Sequence, residues 1–483
     1  MTSSVTRCTV IPPYILEALA ASGDPRLEAS AQLTLVRDAE RRRHRSSPTA
    51  APPRLDLADL ERRPAEAEQE RTARRTVFDA QGRTRLPGVS VRSEGQAPTG
   101  DPATDEAYDG LGLTHGLFLE VYGRDSLDAR GLPLLATVHY GQRYDNAFWD
   151  GDQMVFGDGD GVIFGRFTAS LDVIAHELAH GVTQYTSGLA YRGQPGALNE
   201  HISDVFGVLV VQHSRGQTAA EADWLIGADL LLPGVQGKAL RSMIEPGTAY
   251  DDPRLGRDPQ PAHMDDFVVT TADYGGVHIN SGIPSRAFVL AALELGGYAW
   301  ERAGQIWFDT ITADIAADCD FATFAALTAA AAERRFGSGS PEHRAVLHAW
   351  AAVGVMQQQP DAGDGEGGQP GGESDDQRPD GQVPEGDLSE AEVLVQRTGG
   401  LAGIVKENRV RLDELDDEDA RAWKRLLTGP ELRAAARAEP APGADRFWYR
   451  VCCDEPEVDV EVPEPALAEP TLDLLERTLH AAD

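Results

Sequence analysis

Cysteine, basic residues and long hydrophobic runs are all scarce in this sequence. Its 483 residues contain four cysteines, which are too few and too scattered for a disulfide framework. No run of about 18 apolar residues is present, so no helix is predicted to cross a membrane. The 44 basic residues are outnumbered by 78 acidic ones, which leaves a formal net charge of -34. This balance argues against a nucleic-acid partner, because phosphate binding needs clustered Lys and Arg.

A conventional secretory signal is missing as well. Residues 1–21 contain no basic segment followed by an apolar stretch of about 7 to 15 residues. We therefore expect the protein either to stay in the cytoplasm or to leave the cell by another route.

Composition divides the chain into five predicted parts. With 41% apolar residues the chain can form buried cores, and its length exceeds that of one ordinary domain. The parts are an N-terminal arm (1–75), a mixed, β-rich lobe (76–181), a lobe of amphipathic helices (182–356), an acidic linker predicted to be disordered (357–388) and a small α+β domain (389–483). The predicted fold class is therefore α+β.

Hydrophobic periodicity predicts several individual elements. Alternation with period 2 predicts strands at 134–140, 393–397 and 458–462, whereas helical spacing predicts helices at 416–427 and 471–479. The sequence contains no internal repeat.

The string His176-Glu177-Leu178-Ala179-His180 is the main chemical signal. At 100° per residue, His176, Glu177 and His180 fall on one face of a helix, and the opposite face is apolar. Two imidazoles on successive turns of such a helix can bind one metal ion. The competing interpretation, two surface histidines beside a solvated Glu, accounts less well for the apolar opposite face.

A catalytic zinc ion needs a third protein ligand. Twenty residues further on, Glu200 and Asp204 lie four positions apart in a predicted helix that is apolar on nearly every face. A bare carboxylate is costly to bury there, so each needs a partner. We predict that Glu200 binds the metal and that Asp204 accepts a hydrogen bond from the free ring nitrogen of a ligating histidine. A structural ion pair with an Arg remains the alternative.

Six strings, in this order along the chain, resemble motifs of the thermolysin family of metallopeptidases. They are Asn146-Ala147-Phe148-Trp149 and residues 157–161, 176–180, 199–204, 241–243 and 275–282. The resemblance implies a two-lobed zincin fold, with a β-rich first lobe and a helical second lobe. It also implies a zinc-dependent endopeptidase that cleaves on the amino side of large apolar residues.

The same resemblance implies roles for individual residues. Glu177 matches the general base, which takes a proton from the attacking water and passes it to the leaving amine. His278 and Tyr191 match the hydrogen-bond donors to the oxyanion, and Asp273 matches the carboxylate that orients His278. The groups that match those holding the substrate main chain are Asn146, Ala147 and Arg241.

An apolar specificity pocket is also implied by the resemblance. The matching positions are Phe164, Phe167, Val173, Ile226, Leu230 and Leu240. Phe167 stands where thermolysin has a smaller residue, so we expect a shallower pocket that prefers Leu or Val to Phe.

Calcium binding is implied only weakly. Asp172 and Asp223 remain at positions that match the family's paired calcium site, but Val211, Leu225 and Ala228 stand where carboxylates are needed. Because a calcium ion takes several oxygen ligands, we expect at most one weakly bound ion.

The start of the chain resembles the short propeptide of protealysin-type members of this family. The matching string is residues 8–16, Cys-Thr-Val-Ile-Pro-Pro-Tyr-Ile-Leu. The resemblance implies that this segment lies over the cleft and is removed on activation, with a processing point between about residues 60 and 90. Cys8 is expected to be a packed thiol, with a thiolate bound to zinc as the alternative.

The C-terminal part resembles emfourin, a proteinaceous inhibitor of protealysin-type peptidases. Residues 397–403 and 442–449 carry this similarity. The resemblance implies that one polypeptide contains both enzyme and inhibitor, and the linker of about 32 residues predicts inhibition in cis. The alternative is a stabilising or partner-binding module.

Two other functions were weighed against the endopeptidase. A zinc aminopeptidase uses the same helix motif but needs acidic residues that bind a free amino terminus, whereas Asn146 and Arg241 favour internal cleavage. A permanently blocked zincin that acts as a scaffold is disfavoured by the intact Glu177.

Overall fold

The computed structural model of the chain describes two compact units. Unit 1 spans residues 1–363 and unit 2 spans residues 364–483. The described residues are 9–43, 71–356, 391–399, 406–413, 415, 417–428, 432, 447–453, 458–463, 467 and 469–480. Cys8 and the predicted linker (357–388) lie outside them. No helix in the described part of the chain is both long enough and apolar enough to cross a membrane.

The described part of the N-terminal arm contains two helices. Helix α1 spans Pro13–Ala20 and helix α2 spans Pro25–Arg43. Pro13 occupies the first position of α1, where its fixed φ suits the helix and its missing N–H leaves no bond unmade. The extended segment before α1 is fully buried at Val10 and Ile11, so the arm packs tightly against the rest of unit 1.

A mixed sheet with one long helix forms the first lobe of unit 1. Its elements are β1 (Arg75–Asp79), β2 (Val89–Ser93), α3 (Pro102–Tyr122), β3 (Leu134–Val138), β4 (Ala147–Trp149) and β5 (Met154–Phe156). The strand order is β2-β1-β3-β5-β4. β1, β3 and β5 run parallel, whereas β2 and β4 pair antiparallel at the two edges. The strand predicted at 134–140 is therefore present, two residues shorter.

Helices dominate the rest of unit 1, and the first of them falls mostly within the predicted first lobe (76–181). They are α4 (Leu171–Gln184), α5 (Gly193–Arg215), α6 (Asp273–Asn280), α7 (Gly282–Leu295), α8 (Ala303–Thr312), α9 (Phe321–Phe336) and α10 (Pro341–Ala352). Two short hairpins lie between α5 and α6, formed by β6 (Leu225–Ile226), β7 (Arg241–Ser242), β8 (Asp251–Asp252) and β9 (Gly256–Arg257). The α+β fold with a β-containing first lobe and a helical second lobe is thus confirmed.

Helices α4 and α5 pack unusually close together. A Cβ atom on Gly207 would lie 2.9 Å from the Asp172 carbonyl oxygen and 3.5 Å from the His176 Cβ atom. A larger residue at this position would push α5 away from α4. The glycine therefore lets α5 lie close to α4, so that Asp204, three residues earlier on α5, reaches the His176 ring.

Unit 2 has its own sheet and core. Its elements are β10 (Glu392–Gly399), β11 (Lys406–Arg411), α11 (Asp417–Thr428), β12 (Phe447–Cys453), β13 (Val458–Pro463) and α12 (Glu469–His480). The strands form an antiparallel sheet in the order β11-β10-β12-β13. Trp423 is fully buried, and its indole N–H donates to the Thr478 hydroxyl at 3.0 Å. All four elements predicted from periodicity in this region are present.

Candidate metal centre and active site

Three buried donors converge at the centre of unit 1. His176 and His180 lie four residues apart on α4, and Glu200 lies on α5. Nε2 of His176 is 3.1 Å from Nε2 of His180 and 3.4 Å from Oε2 of Glu200. Nε2 of His180 is 3.6 Å from Oε1 of Glu200. These are the three predicted metal ligands, and they form the one cluster of this kind among the described residues.

Both imidazole rings are fixed by hydrogen bonds on their other nitrogen. Nδ1 of His176 lies 2.8 Å from Oδ1 of Asp204, and Nδ1 of His180 lies 2.8 Å from Oδ1 of Asn199. Both acceptors lie on α5. With Nδ1 donating in each ring, both Nε2 lone pairs face the cluster, which is the arrangement a metal site requires.

The donor set fits a zinc ion. Zinc–ligand distances of about 2.0–2.2 Å in a tetrahedral site place neighbouring ligand atoms about 3.3–3.6 Å apart. The observed separations of 3.4 and 3.6 Å lie within this range, and the His176–His180 separation of 3.1 Å is about 0.2 Å below it. Two neutral imidazoles and one carboxylate also suit zinc chemically and leave a fourth position for water.

Asp204 is held by two partners at once. Besides its bond with His176, it forms a two-pronged ion pair with Arg241, at 2.9 Å from Nε and 2.8 Å from Nη2. Burial opposes ionisation, but Arg241 and His176 together lower the pKa of Asp204 to about 2. The predicted hydrogen bond is present, and so is the Arg ion pair that was considered as its alternative. The carboxylate therefore stays charged beside the metal ligand.

The predicted base, Glu177, lies beside the donor cluster. It is fully buried on α4, and its Oε2 accepts a hydrogen bond from the backbone N–H of Trp149 at 2.8 Å. Trp149 ends strand β4, so this bond links the metal-binding helix to the edge of the sheet. The Glu177 carboxylate is thus oriented from the first lobe as well as from its own helix.

His278, Tyr191 and Asp273 meet beside Glu200. Nδ1 of His278 is 2.6 Å from Oδ1 of Asp273, and the backbone N–H of His278 donates to Oδ2 of the same carboxylate at 2.8 Å. The Tyr191 hydroxyl donates to Glu200 and lies 3.3 Å from Nε2 of His278. Burial lowers the pKa of His278, but Asp273 and Glu200 outweigh it and raise the pKa above the ordinary value. With Nδ1 held by Asp273, Nε2 of His278 lies 3.5 Å from Oε2 of Glu200.

An unusual backbone turn carries these groups. Asp273, Tyr274, Gly275 and Gly276 all have positive φ angles, between 49° and 89°. This region is costly for residues with a side chain, and especially for a bulky one such as Tyr274. The Tyr274 ring packs edge-on against Tyr191, with ring centroids 5.6 Å apart. The strained turn therefore brings an aromatic support up to Tyr191.

Residues 9–11 of the N-terminal arm form hydrogen bonds with residues that are predicted to bind the substrate. The Thr9 carbonyl oxygen lies 3.1 Å from Nε2 of His278, and the Val10 N–H donates to the Ala147 carbonyl at 3.2 Å. Asn146 bonds both main-chain atoms of Ile11, accepting from its N–H at 2.9 Å and donating to its carbonyl at 3.2 Å. Nη1 of Arg241 donates to the Val10 carbonyl at 3.4 Å. The arm thus lies in the cleft, as the sequence predicts.

The six predicted pocket residues are brought together in one hydrophobic core. They are the side chains of Phe164, Phe167, Val173, Ile226, Leu230 and Leu240, none more than 2% exposed. The Phe164 and Phe167 rings lie 6.0 Å apart, and Val173 lies one turn before Glu177 on α4. All six side chains are apolar, which is the composition that the predicted preference for an apolar side chain requires.

The two predicted calcium residues are not brought to a common cluster with a third carboxylate in the described part of the chain. Asp172 accepts hydrogen bonds from the Ser170 hydroxyl and from the backbone N–H groups of Val173 and Gly227. Asp223 accepts a bond from the Leu225 N–H at 3.1 Å. Both carboxylates are therefore used in local structure.

Three contributors to the site were given no such role from the sequence. Asn199 fixes the His180 ring, the Trp149 backbone N–H orients Glu177, and Tyr274 supports Tyr191. Asn199 could have been found from its position, because it precedes Glu200 by one residue and lies at nearly the same height on α5. No local signal identifies Tyr274, since its contact depends on a left-handed turn far along the chain.

Comparison with protein families gives three matches. The family described as "Thermolysin metallopeptidase, catalytic domain" matches residues 57–184, and "Thermolysin metallopeptidase, alpha-helical domain" matches residues 187–355. The family "Emfourin" matches residues 395–479. Together the three matches include every residue assigned above to the metal and to the catalytic groups.

Individual relatives agree with these matches. An "Extracellular metalloprotease" from Pectobacterium carotovorum subsp. carotovorum is 51% identical over 349 residues, which is 72% of this chain and 96% of the relative. "Protease PrtS" from Photorhabdus sp. (strain Az29) is 51% identical over 293 residues, or 60% of this chain and 78% of the relative. The solved precursor of protealysin, a metalloproteinase from Serratia proteamaculans, is 50% identical with a TM-score of 0.64, covering 72% of this chain and all of that one.

Proposed function

This chain belongs to the thermolysin family of metallopeptidases, with a protealysin-type catalytic part and a C-terminal emfourin domain, and from this membership we propose the following. It is made as the zymogen of a zinc-dependent endopeptidase that cleaves on the amino side of large apolar residues. The active form is restrained by the C-terminal domain. The observation that carries the proposal is the convergence of the donors His176, His180 and Glu200, with Nε2 of His278 3.5 Å from Oε2 of Glu200. Glu177 follows His176 directly on the same helix.

The residues of the centre divide the chemistry among them. His176, His180 and Glu200 hold the zinc ion, which, when bound, makes water acidic enough to react near neutral pH and polarises the substrate carbonyl. Glu177 takes the proton from the attacking water and delivers it to the leaving nitrogen. Its bond from the Trp149 N–H keeps the accepting oxygen in place.

His278 and Tyr191 stabilise the charge that develops on the carbonyl oxygen. Their donor atoms lie 3.3 Å apart and face the metal cluster from the second lobe. The Thr9 carbonyl already lies 3.1 Å from Nε2 of His278, so the group binds a peptide carbonyl in the present arrangement. Preorganised donors of this kind typically contribute about 10²–10³-fold to kcat.

Activity is tested with casein and with a quenched peptide that has a single Leu at the cleavage point. We expect hydrolysis that a zinc chelator removes, that added zinc restores, and that Glu177→Gln abolishes. Glu301→Gln, an exposed carboxylate change on the same unit, is the matched control and should leave the rate unchanged. A Glu177→Gln protein that binds zinc and still cleaves at the original rate would contradict the assignment of the base.

The specificity proposal rests on the resemblance to thermolysin and on the apolar character of the matching positions, which include Phe164, Phe167 and Val173. A library of peptides digested to low conversion should show Leu or Val, in preference to Phe, directly after the cleaved bond. Replacing Phe167 with Ala should widen the preference towards Phe. Absence of any apolar bias at this position would refute the pocket assignment.

Zymogen processing follows from the position of the arm. Residues Thr9–Ile11 bond with Asn146, Ala147, Arg241 and His278, so a substrate cannot reach these groups while the arm is in place. We expect activity to appear when the arm is cut between about residues 60 and 90 and removed. Mass spectrometry of the active form locates the cut.

Inhibition by unit 2 is tested by truncation. The composition of residues 357–388 predicts a flexible linker, and a chain of about 32 residues spans roughly 30 Å, which gives a millimolar effective concentration at the cleft. A chain that ends at Met356 should therefore be more active after processing than the full chain. Trp423→Ala in the full chain, which removes the centre of the unit 2 core, should have the same effect. Equal rates for all three proteins would reject inhibition in cis.

The site of action is proposed to be outside the cell, because one relative at 51% identity is named an extracellular metalloprotease. Separation of cells and medium from a culture that expresses the full chain tests this directly. Recovery of the processed form from the cells alone would contradict it.

A further inference from the structure

Helix α2 of the arm lies on the segment just before strand β4. Ser30, Thr34 and Asp38 follow one another at intervals of four residues, so they form one stripe along the helix. All three are buried, at 2%, 0% and 2% exposure. We call these three residues the α2 stripe and residues 142–146 the ledge.

The α2 stripe bonds to successive residues of the ledge. The Ser30 hydroxyl lies 2.8 Å from the Arg143 carbonyl and 2.6 Å from Oδ2 of Asp145. The Asp145 N–H donates to the Thr34 hydroxyl at 3.1 Å. Every one of these bonds joins residues more than 100 positions apart, so the contact is a tertiary interface and not a local turn.

Asp38 extends the same interface towards the active site. Its carboxylate accepts from the Tyr144 hydroxyl and, at 3.2 Å, from Nδ2 of Asn146. Asn146 also bonds Ile11 in the cleft segment. The α2 stripe and the cleft segment therefore share one side chain, but otherwise use different partners.

Asp145 is an unusual group to place at the centre of such an interface. It is fully buried, and neither its Oδ1 nor Oδ2 of Asp160 has a hydrogen-bond partner among the described residues. Burial and the nearby Asp160 raise the pKa of Asp145 from an ordinary 3.8 to about 8. A neutral Asp145 can donate to the Ser30 hydroxyl, which then donates to the Arg143 carbonyl, so that both short contacts are satisfied.

The charged groups around Asp145 agree with a neutral form. Asp160 faces it from the turn after β5 and disfavours its charge, while Arg143 on the ledge favours it but does not outweigh burial. Arg37 and Asp38 on α2 bond instead to the Gln142 carbonyl and to Tyr144 and Asn146.

We propose that the ledge is a docking surface for helix α2, that this surface holds the N-terminal arm on the peptidase after the chain is cut, and that docking requires a protonated Asp145. The proposal takes the zymogen arrangement described under Proposed function as its starting point. It adds a second anchor for the arm, outside the cleft. It also makes the affinity of the cut arm for the peptidase depend on pH.

The direction of the pH effect follows from proton linkage. When the arm is docked, Asp145 holds its proton up to about pH 8, whereas a solvated Asp145 releases it near pH 3.8. Docking is therefore strongest below about pH 3.8. It weakens as the pH rises from there to about 8, and it stays weak at higher pH. We expect at least a tenfold loss of affinity for the cut arm between pH 5 and pH 8.

The experiment measures binding, not catalysis. The full chain with Glu177→Gln receives a cleavage site for a sequence-specific protease between residues 50 and 60, and is cut completely. Gel filtration from pH 5 to pH 8.5 then shows what fraction of the N-terminal fragment elutes with the rest of the chain. Dilution series give the apparent Kd at each pH.

Three variants separate the contributions. Asp145→Asn is neutral at every pH, so residue 145 should cause no loss of affinity for the fragment between pH 5 and pH 8. Ser30→Ala and Thr34→Val should weaken retention about fivefold to tenfold each at pH 5, because each removes one or two buried hydrogen bonds. Gln32→Ala, on the exposed face of α2, is the matched control and should behave like the parent.

The outcomes are decisive for the docking surface. If Asp145→Asn shows the same fall between pH 5 and pH 8 as the parent, the proton at Asp145 is not part of docking. If the Ser30→Ala, Thr34→Val double variant retains the fragment like the parent at every pH, the α2 stripe is not an anchor. If the chain with Glu177 intact has no peptidase activity, but the cut Glu177→Gln chain shows the expected binding pattern, the proposed function is refuted and this inference stands.

Discussion

The metal side of the active site lies on two long helices, whereas the oxyanion side lies on a turn with four consecutive positive φ angles. On the metal side, His176 and His180 occupy adjacent turns of α4, and α5 supplies both Glu200 and the ring partners Asn199 and Asp204. On the other side, the turn at Asp273–Gly276 precedes His278 and contacts Tyr191. Helical periodicity provides the metal ligands, but the oxyanion donors depend on costly backbone geometry.

The two sides of the active site should respond differently to mutation. The metal side is redundant in its support, because each ring is fixed by a bond to α5 and Asp204 is itself held by Arg241. The oxyanion side relies on one carboxylate, Asp273, which binds both the side chain and the backbone of His278. We expect mutations on the metal side to affect metal content and those on the other side to affect kcat alone.

The largest effect should come from His176→Ala. Removal of one of three ligands leaves two donors, which is too few to hold zinc at the low concentrations used in assays. We expect a protein without zinc after dialysis and without measurable peptidase activity, checked by elemental analysis and the quenched peptide. If His176→Ala retained one zinc per chain, metal content would not distinguish the metal side from the oxyanion side.

A smaller loss is expected for His278→Ala. It removes an oxyanion donor but no metal ligand, so kcat should fall about 10²–10³-fold while zinc content stays at one per chain. Asp273→Asn, which keeps the shape of the orienting group but not its charge, should fall between this variant and the parent. Loss of zinc from His278→Ala would show that the oxyanion side also supports the metal.

Asp204→Asn tests the second layer of the metal side. Replacing the charged partner of the His176 ring should weaken zinc affinity by about 10–100-fold, measured by competition with a chelator. The matched control is Asp309→Asn, which breaks the exposed pair with Arg335 and should leave zinc affinity unchanged. An unchanged zinc affinity in Asp204→Asn would mean that α5 positions the His176 ring without this charge.

The smallest effect is expected for Tyr274→Asn. Asn tolerates the left-handed region, so relief of strain of about 1 kcal/mol should offset the lost edge contact with Tyr191, worth about 0.5–1.5 kcal/mol. The free energy of unfolding should thus stay within about 1 kcal/mol of the parent, while kcat falls severalfold with KM nearly constant. Tyr274→Phe keeps the ring contact and should keep kcat. Equal kcat for Tyr274→Asn and the parent would show that Tyr191 needs no such support.

Local patterns in the sequence were sufficient for the metal ligands and for most elements of unit 2. The i, i+4 spacing of His176 and His180 defines a site on any helix, and the alternating and helical periods at 458–462 and 471–479 reappear as β13 and α12. The order of motifs added Glu177, Tyr191, Asp273 and His278 as candidate catalytic groups, and their roles stay predictions. These features depend on neighbours a few residues away, so they can be recognised without a tertiary structure.

Contacts between distant parts of the chain were decided only by tertiary packing. Gly207 lets α5 approach α4, Arg241 reaches Asp204 across 37 positions, and Thr9 reaches His278 across 269. The same packing buries Asp145 under α2 and thereby changes the acidity of its carboxyl group. A sequence specifies which side chains are available, but burial and distance set their charge and partners, and both arise only when remote segments are brought together.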